Sequence, residues 1–256
     1  MTAMAYSATM FRRNLRHVLR YPSMIIATLS VPVVMLLLFS YVFGSTIAAG
    51  VGGGFDAIDY MVPGLLLMTI ASGAVSTAVS IRSDMNEGIV NRFRTMPIPR
   101  TSVVTGHVLG SVVQIMASVV LVIAVGMALG FRPTAGLVGW VAFTGLAVLV
   151  AFAITWLAVA LGLLAKTVEG ASNTPLPLSF FLPFVSTTFL PLSALPSGVR
   201  WFAEYQPYTP IIQTMRGLLI GGPIGHDGWL AVGWGVVLTV GGYLWSTKLF
   251  NRGPQR

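Results

Sequence analysis

The chain has 256 residues, 55% of them hydrophobic and only 9% charged, and carries a net charge of +8. The absence of cysteine excludes disulfides and thiol chemistry. The basic excess does not point to nucleic acid, because the charges flank apolar runs instead of forming one patch. Anionic lipid headgroups and a cytoplasmic partner account for them.

Residues 7–20 carry the clearest amphipathic pattern. At about 100° per residue, Phe11, Leu15, Val18 and Leu19 share one arc, while Arg12, Arg13, Arg16, His17 and Arg20 take the other. Residues 1–23 are therefore expected to hold an interfacial helix, apolar face toward the membrane, stopped by Pro22. Such a helix is either a surface anchor or a lever that transmits a push from a cytoplasmic partner. Arg12 and Arg13 ahead of an apolar run also resemble a secretory signal. The run exceeds the ~7–15 residues of such a region and no clear small-residue cleavage site follows, so an uncleaved first span is expected.

Six apolar runs then dominate the chain, at Met24–Phe43, Tyr60–Ile81, Val103–Gly130, Leu137–Ala165, Thr174–Leu195 and Trp229–Phe250. Each approximates the ~20 residues that a helix needs to cross a ~30 Å hydrocarbon core. They are apolar all round, whereas a soluble helix of that length keeps a polar face. A closed β-barrel would show short segments of alternating polarity instead. The expected fold is an all-α membrane protein of six transmembrane helices, with residues 1–256 forming one domain. Of the fifteen basic residues, only Arg132, Arg200 and Arg216 fall on the side opposite the N-terminus. The positive-inside rule then puts both termini in the cytoplasm.

Residues 82–102 form the longest cytoplasmic connection. Ser83 is placed to cap a short helix with Asp84 and Glu87 near its positive dipole end and Arg92 and Arg94 beyond, stopped by Met96-Pro97-Ile98-Pro99. The pattern reads as a protein-docking helix, with a passive connector as the alternative. In the third run, the pairs Gly106/Gly110 and Gly126/Gly130 permit close helix packing without saying which helices meet.

The fifth run contains Pro175, Pro177, Pro183 and Pro191. Pro183 and Pro191 each remove a helical donor, and Ser186, Thr187 and Thr188 lie near enough to compensate, so this span should be kinked or broken. A static kink and a moving gate both satisfy that pattern. Residues 196–228 are expected outside the membrane or re-entering it. Val199, Trp201, Phe202 and Tyr205 mark a first short helix, Pro207 to Pro210 a break, and Ile211 to Ile220 a second helix stopped by Gly221-Gly222-Pro223. Contacts closing this region are expected to be apolar.

No nucleophile, base and orienter are recognisably spaced, and His17, His107 and His226 fall in separate regions. There is no HExxH or CxxC spacing, so no metal site is expected. Gly162-Leu-Leu-Ala-Lys166-Thr167 lacks the second glycine of a nucleotide-binding loop. The chain is therefore not expected to hydrolyse ATP. The acids Asp56, Asp59, Asp84, Glu87, Glu169, Glu204 and Asp227 are all placed in loops, which leaves no buried group to carry a coupling ion. Uphill movement of a solute would need energy from outside this chain.

Two stretches carry a family resemblance. One is Asp84-Met-Asn-Glu-Gly-Ile-Val-Asn-Arg-Phe-Arg-Thr-Met-Pro-Ile-Pro-Arg100; the other joins Leu195-Pro196, Gln206-Pro207-Tyr208-Thr209-Pro210 and Arg216-Gly-Leu-Leu-Ile-Gly221. With the order of helices they resemble the permease subunits of ABC-2 type transporters, particularly the daunorubicin-resistance type. Gln206 stands where that family typically has asparagine. The resemblance implies a multi-pass permease of a bacterial-type plasma membrane that pairs with a second copy or a paralogue. It further implies two separate ATP-binding subunits, which would hold ATP and Mg2+, and export of hydrophobic or amphipathic solute. Ser83, Asp84, Glu87, Gly88, Arg92 and Arg94 would then form the coupling helix, and spans one, two and five the path. Pro183, Pro191, Trp201, Pro207, Pro210 and Arg216 are the candidate gate and hinge residues. A polysaccharide or glycolipid exporter of the same class, and a non-transporting assembly or receptor subunit, are the alternatives.

Overall fold

The computed structural model describes residues 30–39, 41–42, 44, 56–86 and 100–251, with side-chain surroundings left aside for 100–103 and 251. The interfacial-helix residues Phe11, Arg12, Arg13, Leu15, Arg16 and Arg20, and Glu87, Gly88, Arg92 and Arg94 of the expected coupling helix, lie outside the described residues. All regular structure among the described residues is helical. In chain order the helices are α1 (Ser30–Phe39), α2 (Ala57–Asn86), α3 (Arg100–Ala128), α4 (Leu137–Leu164), α5 (Val168–Asn173), α6 (Ser197–Tyr205), α7 (Tyr208–Ile220) and α8 (Asp227–Asn251).

Four of these, α2, α3, α4 and α8, are long and apolar enough to cross a membrane. They match the second, third, fourth and sixth apolar runs, for the reason that governs all of them: in hydrocarbon a backbone must satisfy its own polar groups, and a helix does so within one segment. The other two runs behave differently. In the first, residues 30–39 form α1 and 41–42 are also helical, the remainder lying outside the described residues; the fifth does not form one continuous helix.

α2 and α4 form the centre. The most apolar stretch of α2 is 72% buried and that of α8 only 17%, so α8 lies at the periphery with an outward face of Trp229, Val236, Val237, Val240 and Leu244. α2 packs against α3, α4, α5 and α7, and α4 against α8. A close backbone crossing joins α2 to α4: a Cβ on Gly162 would lie 2.6 Å from the Ala78 carbonyl oxygen and 2.8 Å from its Cα. Glycine at that position lets two backbones touch, as small residues do at helix interfaces in membranes. The glycine pairs of the third run gave no hint of this contact.

α3 and α4 are antiparallel neighbours joined by a turn in which Gly130 takes φ +116°, a conformation costly for other residues. Phe131 N–H closes that turn on Gly126 O at 2.9 Å. The turn also holds α7, through Thr134 N–H and Ala135 N–H donating to Leu219 O at 2.9 and 3.1 Å. The start of α2, the α3–α4 turn, α7 and the start of α8 therefore share one end of the bundle.

Candidate functional site

The proline-rich fifth run is where the bundle departs from regular helix. After α5 the chain passes through a π-helical turn at Pro177–Phe181, one α turn at Leu182–Phe184, an irregular stretch, and a 3-10 turn at Leu192–Ala194. The expectation of a kinked or broken span is met by a break. Ser186 Oγ donates to Pro183 O at 2.6 Å, Ser186 and Thr188 hydroxyls lie 2.9 Å apart, and Thr188 N–H donates to Ser186 Oγ at 3.3 Å. The hydroxyls next to the prolines thus satisfy backbone that the helix ladder no longer can.

The rest of the break is held by α7 and by Gln206, which lies between α6 and α7. Gln206 Nε2 donates to Val185 O at 2.7 Å, and the buried Tyr208 hydroxyl donates to Leu178 O at 2.7 Å. Arg216, 8% exposed, reaches two elements at once. Its Nη2 donates to Thr187 O at 2.7 Å and to Tyr60 O at 2.9 Å, its Nε to Tyr60 O at 3.1 Å, and its Nη1 to Gln213 Oε1 at 2.9 Å. The guanidinium also sits 3.7 Å from the Tyr60 ring centroid.

These contacts correct the expectation of an apolar closure. Phe39, Phe184 and Phe189 do stack here, with centroids 4.3 and 5.0 Å apart along the chain of rings. The seam between the break, α2 and α7 is nevertheless closed by hydrogen bonds to carbonyls; Pro191 has no N–H to give Thr187 O, and Arg216 supplies that donor. Arg216, expected among loop cations, is instead a buried structural donor.

Sequence reasoning missed the seat on which this seam rests. Pro63 lies inside α2, removes the donor that Asp59 O would otherwise have, and loosens the ladder beside the Tyr60 carbonyl that Arg216 takes. Next to it, a Cβ on Gly64 would come within 2.7 Å of Thr188 Cβ, so only glycine admits the broken segment so close. The signal was present as a Pro-Gly dipeptide inside an apolar run.

The paired helices before α8 form as expected, with one revision. α7 begins at Tyr208, so the break is confined to Gln206-Pro207 and Pro210 lies in the first turn of α7. Proline is tolerated there because a first-turn N–H has no helical partner to lose. α6 buries only Ala203; Trp201 and Tyr205 are 67% and 65% exposed, with ring centroids 5.6 Å apart. Such an outward aromatic pair suits a membrane–water boundary.

At the opposite end of the bundle the structure revises the reading of Ser83 and Asp84. Ser83 is not the cap of a new helix, because α2 continues to Asn86. Nothing from Arg82 to Asn86 breaks a helix, so the ladder runs on. Likewise α3 begins at Arg100, which leaves 87–99 as the connection instead of 82–102. Asp84 is therefore a helical residue and not a loop acid; Asp59, Glu169, Glu204 and Asp227 also lie in helices.

Asp84 meets His107 of α3, with Oδ2 and Nε2 2.9 Å apart and both side chains largely covered. The histidine was expected to stand alone. Its signal was a single ionisable residue two turns into an otherwise apolar helix. Arg82 Nη2 donates to Lys166 O at 2.6 Å, tying the same end of α2 to the end of α4. Thr167 Oγ1 accepts from Gly170 N–H at 3.0 Å and caps α5, so the lysine-threonine pair serves a helix start. Among the described residues no three His, Asp or Glu side chains gather as metal ligands.

Comparison with known proteins accords with this architecture. The chain is 26% identical over 220 residues to the daunorubicin resistance ABC transporter permease protein DrrB1 of Streptomyces coeruleorubidus, covering 86% of this chain and 77% of that one. It is 25% identical over 203 residues to the probable doxorubicin resistance ABC transporter permease protein DrrC of Mycobacterium tuberculosis, covering 78% and 71%. It is 26% identical over 239 residues to the inner membrane transport permease YadH of Escherichia coli, covering 91% of each. Residues 7–220 match the ABC-2 type transporter family, which takes in the polar seam, the α2–α3 connection and the paired helices, and the chain belongs to that family.

Proposed function

We propose that this chain is the membrane-spanning permease of an ATP-driven exporter that moves hydrophobic or amphipathic solute, drug-like or lipid-like, out of the cell. The observation that carries the reading is the family match over residues 7–220. The placement of charge supports an outside energy source: α4 has no ionisable side chain, and those of α2, α3 and α8 lie near their ends. Among the described residues the one largely covered acid of the long helices, Asp84, sits at the end of α2 and not along the bundle interior. Two ATP-binding subunits, holding ATP and Mg2+, would supply the energy through the end of α2 and the connection at 87–99 that follows it, and a second permease copy or paralogue would complete the path.

In this reading six spans cross the membrane, four as continuous helices, one through α1 and one through the broken segment. Both termini are cytoplasmic. Arg216, being buried, drops out of the loop count, so the basic asymmetry becomes twelve to two. The broken segment with α6 and α7 forms the outer gate.

The test is purification of the chain from its native membrane followed by reconstitution. A copurifying ATPase whose turnover rises with hydrophobic or amphipathic solute is the expected result. A stable complex free of ATPase, in which no solute changes any nucleotide turnover, would replace the exporter by a non-transporting assembly or receptor subunit.

A further inference from the structure

α2 ends in bonds that point both ways. Asp84 takes His107 of α3 at 2.9 Å, and Arg82 donates at 2.6 Å to Lys166 O, in the connection just after α4. One and a half turns back, the Ala78 backbone touches Gly162 of α4. Three helices are therefore fastened within about two turns of the point where residues 87–99 leave α2. Side-chain bonds fasten α3 to α2 among the described residues: Thr77 Oγ1 donates to Ser111 Oγ at 2.7 Å, and His107, nearest the end of α2, crosses from α3 to Asp84.

Burying a histidine and a carboxylate together costs desolvation, which a close hydrogen bond offsets only in good geometry. An apolar pair of the same size would hold two helix ends at lower cost. What the polar pair adds is a fixed register, because the bond at 2.9 Å is lost when α2 slides or rotates against α3. A helix end that must deliver a push needs that property. α2 then runs from Asp84 to the Tyr60 carbonyl held by Arg216, so a displacement at one end reaches the polar seam at the other.

We propose that His107 is a positioning residue for energy coupling. It holds the Asp84 carboxylate so that a push arriving through residues 87–99 moves α2 and α3 as one body. This rests on the exporter reading, and the test separates the two.

The reconstituted permease with its copurified ATPase is compared as wild type, His107→Leu and His107→Gln. Glutamine keeps a donor near the position of Nε2; leucine keeps the volume without it. In His107→Leu the maximal solute-stimulated ATPase rate should fall about tenfold, within the range of coupling energies between sites. The solute concentration for half-maximal stimulation and the amount of copurified ATPase should stay within twofold. His107→Gln should recover most of the stimulation. If leucine and glutamine variants both retain wild-type stimulation, or both lose it together with assembly, His107 is only a packing residue and the positioning role is refuted while the exporter reading stands. If wild type itself shows no solute-stimulated ATPase, the exporter reading fails and takes this inference with it.

Discussion

Replacing Arg216 with methionine isolates the polar seam, because methionine keeps the length of the side chain and removes every donor. Four hydrogen bonds disappear, with donor–acceptor distances from 2.7 to 3.1 Å. Bonds to a charged donor contribute roughly 1.5–3 kcal/mol each, but they are not additive here. The Tyr60 carbonyl lies in a helix, and Gln213 sits one turn away on the same helix. The Thr187 carbonyl is in the irregular stretch, and losing its donor inside the bundle costs about 1–3 kcal/mol. The stacking of the guanidinium on Tyr60 contributes about 0.5–2 kcal/mol more. Against this stands relief from burying a cation, several kcal/mol in a dry site. Since each face of the guanidinium edge is already occupied by a carbonyl dipole, the relief is partial, and the net expectation is a loss of about 2–4 kcal/mol. Reversible unfolding in mild detergent, monitored by tryptophan fluorescence, measures it. Arg216→Lys should lose more than half as much, because an ammonium cannot span the Tyr60 and Thr187 carbonyls together. If Arg216→Met unfolds within about 0.5 kcal/mol of wild type, within the range of ordinary surface changes, the seam is not held by this residue.

Gly162→Leu should abolish a monodisperse folded protein on size exclusion. The obstacle is the Ala78 backbone, which cannot rotate away, so the cost exceeds the ~1–3 kcal/mol of ordinary overpacking. Cysteine introduced at Gly225 should react with an impermeant thiol reagent in intact cells and one at Asn91 should not; the opposite labelling defeats the proposed topology. Pro183→Ala combined with Pro191→Ala should preserve solute binding and slow export, as regained ladder bonds stiffen the break. Unchanged transport with unchanged ATP coupling would make the prolines packing features and put the gate elsewhere.

The sequence by itself determined the helical class, four of the spans and the break in the proline-rich run. Each follows from a local rule: length and apolarity for α2, α3, α4 and α8, missing donors for Pro183 and its neighbours, and period for the short helix α6 around Trp201 and Tyr205. It also carried the family, through short patterns around Asp84 and Arg216. Tertiary structure alone decided who meets whom. Gly162 touches Ala78, Thr188 settles over Gly64, and Arg216 turns inward to the Tyr60 and Thr187 carbonyls, across separations that no local periodicity encodes. Ser83 and Asp84 are a different case: their charge pattern imitates a helix start, but the absence of any breaker, itself a local signal, lets α2 continue past them. In an apolar bundle every outward face looks alike in sequence, so the choice of partner is made by the few small or polar residues whose requirements only close packing can meet.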